Sequence, residues 1–240
     1  MKMLPLIAAL LLTSLVISAR ADDKPLELKA GAAASNITPE IGLPIVGGFA
    51  PFPSTSIHDD LNARCLVLDD GNKKLALVVC DLLGFHNRVS TEARRLIEEA
   101  TGIPRSNVLI SSTHTHSASS ALGENRFKGS EQLDPYQQFV ARRIADGVRT
   151  AVARLRPAEL GIGTVEIPEH VFNRRWFMKP GKVPINPFGK FDQVKMNPGS
   201  GPADLDHPAG PTDPIVSILS VREPGGRPIA VYTTYSLHYV

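Results

Sequence analysis

Apolar residues recur along this chain with two different periods, and the changes of period mark its elements. Short apolar or alternating stretches occupy Leu28–Ala33, Ala63–Asp69, Leu75–Asp81 and Asn107–Ser112, bounded by turn residues, which predicts β-strands. Leu75 to Cys80 is apolar throughout, the pattern of a strand covered on both faces. Asp70-Gly71-Asn72-Lys73 predicts a hairpin turn before it. A 3.6-residue period then sets Ala93, Leu96, Ile97 and Ala100 on one stripe, with Ser90 as the expected cap and Gly102 and Pro104 as stop signals. A second helix opens at Asp134-Pro135 and carries Tyr136, Phe139, Val140, Ile144, Val148, Val152 and Leu155 on one face, ending before Pro157. Glu159–Ile167, Ile215–Glu223 and Pro228–Leu237 read as further strands.

Strand, helix and strand from Leu75 to Ser112 make a βαβ unit, so those two strands are expected to run parallel. The fold class predicted is α/β, a mixed and partly parallel sheet flanked by helices. Pro39 to Pro53 reads as loop. Between Asn173 and Pro214 the periodicity vanishes, and eight prolines and five glycines fall between Met178 and Pro214. A stretch of that length inside a compact domain is a functional segment or a surface excursion. It is expected as a Pro/Gly-rich loop on the active-site side.

The amino terminus changes the picture of the mature chain. Met1-Lys2-Met3, an apolar core from Leu4 to Ile17 and Ala19-Arg20-Ala21 form the pattern of a secretory signal peptide over residues 1–21. That predicts a secreted or periplasmic protein beginning at Asp22. The apolar run is shorter than the roughly 20 residues of a membrane span, and no later segment approaches that length. Without Lys2 and Arg20 the chain keeps 24 basic residues against 24 acidic ones, which excludes the basic footprint of a nucleic-acid binder. Two cysteines are too few for a disulfide scaffold. The hairpin turn sets Cys65 opposite residue 78, leaving Cys80 diagonal to it at roughly 7–8 Å, so both are expected as free, buried thiols.

The chemistry concentrates in Ser111-Ser112-Thr113-His114-Thr115-His116-Ser117, where a predicted strand ends. Ligands in open α/β sheets gather beyond the carboxyl ends of strands, and alternate residues of an extended segment share a side. Neutral imidazole is the commonest metal ligand. A catalytic zinc ordinarily takes three protein ligands, so two histidines need partners from elsewhere. His238, at the end of the last predicted strand, is the best candidate. Of the remaining histidines, His58 is expected in a loop hydrogen bond and His86 near the same rim. His170 and His207 are expected at the surface, the latter in a solvated Asp204–His207 loop. Asp81 either orients a ligand or caps a turn.

Gly47-Gly48-Phe49, Ile57-His58-Asp59-Asp60-Leu61-Asn62-Ala63-Arg64, Val79-Cys80-Asp81-Leu82, the Ser-Ser-Thr-His-Thr-His-Ser run, Asn173-Arg174 and Leu237-His238 occur in that order. In this the chain resembles the amino-terminal catalytic region of the neutral, non-lysosomal ceramidases. The resemblance implies a zinc-dependent hydrolase of an N-acyl amide, ceramide or a related lipid amide. It makes His114 and His238 zinc ligands, His116 a catalytic group beside the metal, and Arg174 a residue lining the pocket. It also implies a lipid substrate and is compatible with peripheral contact at a membrane surface. Where the family continues with Gly-Pro after His-Thr-His-Ser, this chain has Ala118-Ser119-Ser120. The family's glutamate and tyrosine ligands lie further downstream, so residues 22–240 are expected to be part of a longer catalytic domain and inactive alone. The residues by themselves leave two other classes open: an exported metal-dependent phosphoester or carboxylester hydrolase, and a binding module with structural histidines.

Overall fold

The strands order themselves into layers because their apolar faces must be covered. A computed structural model describes residues 27–48, 50–123, 132–183, 185–199 and 202–238, and the expected signal peptide lies outside them. The strands are β1 (Lys29–Asn36), β2 (Pro44–Ile45), β3 (Phe52–Pro53), β4 (Asn62–Asp69), β5 (Lys74–Cys80), β6 (Val108–Ser112), β7 (Arg156–Pro157) and β8 (Glu159–Glu166). After them come β9 (Arg175–Met178), β10 (Val194–Met196), β11 (Leu205–Pro208), β12 (Ile215–Arg222) and β13 (Pro228–Thr234). Among the described residues two α-helices, α1 (Asn87–Thr101) and α2 (Pro135–Ala153), and three short 3₁₀ turns accompany the strands.

The main sheet has the order β6-β5-β4-β1-β7. Only β5 and β6 run parallel, with Val78 opposite Ile110, as the βαβ reading expects. Residues alternate across the sheet, and the two faces meet different layers. Ala63, Cys65, Val67, Ala76 and Val78 pack with Val89, Ala93, Ile97, Val140, Ile144 and Val148 of the helices. On the other face Leu66, Leu68 and Leu77 meet Leu219, Val221 and Ile229 of a second antiparallel sheet, β13-β12-β8. The result is helices, mixed sheet and small sheet in three layers.

Cys65 pairs with Val78 in register and Cys80 with Ala63, so the thiols sit diagonally, free and buried. Burial pushes both thiols up to about 12.

Three local expectations are corrected. The first helix starts at Asn87 with His86 as its cap, while Ser90 Oγ donates to Asn87 O instead. Buried Val89 supplies one more apolar position, a turn before Ala93, and extends the stripe. Second, the aperiodic segment contains a three-stranded sheet, β10-β9-β11, built from strands of three or four residues, too short to show a period. Third, the last strand ends at Thr234 rather than Leu237.

Helix α2 lies unusually close to β1. A Cβ on Gly31 would stand 2.1 Å from Ala151 O, and one on Gly147 would stand 2.7 Å from Cys65 Sγ. Arg143 Nε donates to Asn36 O and Arg154 to Ala32 O, closing the same seam from its rim. Gly31→Ala is therefore expected to destabilise the fold by about 3 kcal/mol, since a backbone carbonyl cannot step aside as a side-chain tip can. Gly163→Ala, where nothing lies within 4 Å, should stay within about 0.5 kcal/mol of wild type. Urea unfolding of both variants checks the contrast.

Candidate metal centre

Beyond the parallel strands, the two chains continue side by side. Thr113 N donates to Cys80 O and His114 N to Leu82 O, both at 3.0 Å. Further on, His86 N donates to Ala121 O and Ala121 N to Gly84 O. This ladder fixes the loop that carries His114 and His116. His114 itself has a positive φ of 59°, uncommon for a residue with a Cβ. Its Nδ1 lies 2.8 Å from Leu83 O. A carbonyl oxygen only accepts, so Nδ1 bears the proton and Nε2 keeps the lone pair. Orienting a ring through its far nitrogen in this way is the usual second-sphere device for a metal-binding imidazole.

His116 is placed from the other side. Gly47, with φ 127°, lies so close that a Cβ there would stand 2.6 Å from His116 Cγ. Val46 N donates to Ala118 O at 3.1 Å, which clamps the two segments together. His116 Nε2 is buried and has no hydrogen-bond partner.

His238 arrives from the small sheet. Past β13, Tyr235 donates its hydroxyl to Ile167 O, and Ser236 Oγ donates to Asp213 Oδ2 at 3.2 Å, fixing the segment that ends in His238. The strands before His114 and His238 belong to two sheets facing each other, β6 to the mixed sheet and β13 to the small one. The three imidazoles nonetheless meet. Their centroids lie 5.2 Å (His114–His116), 5.3 Å (His114–His238) and 5.0 Å (His116–His238) apart. One ring nitrogen from each lies within 4.8 Å of the others. Burial, then the Arg174 guanidinium and the neighbouring imidazoles, holds His238 below the ordinary imidazole pKa and favours its neutral, ligating form.

This cluster fits a metal ion. Two nitrogens on one tetrahedral zinc lie about 3.3 Å apart, a modest contraction from the spacing present. A buried nitrogen without a partner is costly, and His116 Nε2 has that deficit within the cluster. Sequence reading placed His116 beside the metal; the structure brings its nitrogen as near as the other two.

The remaining candidates lie elsewhere. His58 is exposed and pairs with Asp59 at 2.8 Å. Asp81 accepts from Asn62 N and Arg64, tying the ends of β4 and β5. His86 caps α1 rather than facing the cluster. His170 is exposed. His207 stacks on Phe177 and contacts Asp206 within β11, so the Asp204–His207 stretch is partly strand. Arg174 does reach the site: its guanidinium donates to His238 Nδ1 at 3.3 Å. The Gly47 contact and the Leu83 carbonyl were missed as site features. A backbone carbonyl leaves no sequence signal, but the Gly47-Gly48 pair was a legible one.

An apolar cavity of about 480 Å³ lies against the same loop, lined by Leu43, Pro44, Val46, Ser119 and Tyr136 among others.

No model of a known protein family matches the chain. Solved structures do, among them two ceramidases. One is neutral ceramidase from Pseudomonas aeruginosa, with TM-score 0.57 and 21% identity, over 87% of this chain and 31% of that one. The other is a ceramidase complexed with C2, with TM-score 0.58, 22% identity and the same two coverages. The fold is one shared with neutral ceramidase. The chain spans about a third of the length of these proteins.

The Arg174–His238 hydrogen bond has a chemical consequence. A metal on His238 Nδ1 uses the lone pair that Arg174 now engages, and a metal on Nε2 leaves a proton at Nδ1. Either way the bond is lost and Arg174 is released. Arg174→Ala is thus expected to bind zinc about 2–10-fold tighter than wild type, the worth of one modest hydrogen bond. Chelator competition measures it, and weaker binding would make Arg174 a support of the site instead. Gly47→Ala, by contrast, should displace His116 and leave zinc binding near wild type in the same titration, since His114 and His238 are the residues expected to hold the ion.

Proposed function

We propose that this chain carries the histidine site of an exported, zinc-dependent hydrolase that cleaves an N-acyl amide, ceramide or a related lipid amide, to fatty acid and amine. The observation that carries this reading is the convergence of His114, His116 and His238, with an apolar cavity against the loop that follows His116. The fold shared with ceramidases supports the choice of bond, and residues 1–21 support export. His114 and His238 would hold the zinc. Zinc in such a site supplies Lewis acidity toward a carbonyl oxygen and a water ionised near neutral pH.

The chain's own residues do the rest. His116, whose ring lies against both other imidazoles and whose buried Nε2 has no partner, would stabilise the developing oxyanion or deliver a proton. Its position depends on the contact with Gly47. Arg174, freed from His238, holds a polar oxygen of the substrate. Leu43, Pro44, Val46 and Tyr136 offer an apolar wall to a lipid chain.

The decisive experiment uses the natural full-length protein with a ceramide, a short N-acyl amine and an aryl phosphate assayed in parallel. Amide cleavage, abolished by chelation and restored by zinc, is the expected result. Phosphate cleavage alone would move the protein to the phosphoester hydrolases, and the absence of stoichiometric zinc would make it a binding module. His116→Ala should lower kcat and kcat/KM together, by about 10²-fold or more, while zinc content stays near wild type. Zinc lost in proportion to activity would make His116 the third ligand.

A further inference from the structure

Residues 179–193 join β9 to β10, and among the described ones Ile185, Phe188 and Phe191 are exposed. Phe188 is 87% exposed, Phe191 71% and Ile185 60%, three large apolar residues within seven positions. Single exposed hydrophobics are ordinary, whereas a cluster on one loop marks a contact surface. The loop is also built rather than slack. Asn186 N donates to Lys190 O at 2.7 Å, and Asn186 Oδ1 accepts from both Phe188 N and Lys190 N at 3.0 Å. Asn186 Nδ2 donates to Asp192 Oδ1, Gly189 takes the positive φ that closes the turn, and Ile185 bridges Phe191 across it. The turn therefore holds two phenyl rings in water where a slack segment would let them collapse onto the protein.

Charge accompanies the rings. Residues 179–195 contain four lysines and one aspartate in a chain otherwise close to neutral. Lys182 pairs with Asp204 and Lys179 Nζ donates to Ala203 O. Lys190 and Lys195 have no ion-pair partner among the described residues. Apolar side chains flanked by free lysines are the composition that binds an anionic lipid interface.

We propose that the β9–β10 loop is a membrane-docking surface, inserting Phe188, Phe191 and Ile185 among lipid chains while Lys190 and Lys195 meet anionic headgroups. The loop grows from Arg174, which immediately precedes β9 and whose carbonyl accepts from Asn197 N beyond β10. Docking there holds the Arg174 edge of the histidine cluster near the bilayer. The proposal deepens the lipid-amide reading and rests on it for the reason a membrane is visited. Vesicle binding is measured without turnover, so the two can fail separately.

The test is sedimentation of the natural full-length protein with phosphatidylcholine vesicles, with and without a third of phosphatidylglycerol. Wild type should bind the anionic vesicles more strongly. Phe188→Ser with Phe191→Ser should cut binding to both by about tenfold or more, and Lys190→Glu with Lys195→Glu should erase the preference for the anionic ones. Ile162→Ser, at an equally exposed residue of β8, should bind as wild type. Circular dichroism and zinc content matching wild type show that each variant is folded. Phe188→Trp, in a Trp176→Phe background, should shift its emission to the blue on adding vesicles and be quenched by brominated lipid. Wild-type protein that ignores vesicles, serine variants that bind unchanged, or a Trp already blue-shifted in buffer would overturn the proposal; the last would mean protein covers the loop.

Discussion

The parallel pairing of β5 with β6 does not stop where the strands stop, and the candidate site depends on that continuation. Thr113 and His114 donate their amides to Cys80 and Leu82, and the ladder resumes at His86 and Ala121. Between these rungs Leu83 offers a carbonyl to His114 Nδ1. One run of backbone hydrogen bonds thus sets both the position of the loop and the tautomer of its first histidine. The buried unit beneath it, Val78 and Ile110 against α1 and α2, keeps the run from fraying.

The third histidine comes from a different layer, and this makes the site a junction. His114 and His116 hang from the mixed sheet, His238 from the end of the small sheet. The apolar contact between those sheets is thin, with Ala30, Leu66 and Val221 its fully buried members. By area alone such a contact contributes a few kcal/mol. Hydrogen bonds of Tyr235 and Ser236 to Ile167 and Asp213 steady the His238 segment against its own sheet. None of them reaches across to His114. An ion held between His114 and His238 would do so, and its binding energy would then become folding energy for the contact between layers.

Much of this was legible in the sequence, for identifiable reasons. The βαβ unit, the hairpin register that sets Cys65 opposite Val78 and the second helix with its Asp134 cap follow from periodicity and turn chemistry, which are local. The pairing of His114 with His238 was legible only as two strand ends carrying the same chemistry. Which sheet each strand joins is a long-range fact that period-two patterns do not encode. The start of α1 was misplaced because Ser90 is a better cap by type than His86, yet burying Val89 outweighed that preference. Strands β9, β10 and β11 were missed since three or four residues cannot display a period.

Gly47 shows how a site residue can be visible and still unread. Its sequence signature, a glycine pair in a Pro/Gly-rich loop, is what any turn would show. Only the fold reveals that its missing Cβ is the space His116 occupies, and that its φ of 127° lets the backbone pass there at all. The Val46–Ala118 bridge fixes that passage. The segment before β4 is thus more than a connection: it sets the depth of one imidazole and lines the apolar cavity with Leu43, Pro44 and Val46. The same few residues therefore bear on two properties of the site, the reach of His116 Nε2 and the shape of the space beside it. A change that repacks the cavity wall will be felt at the ring.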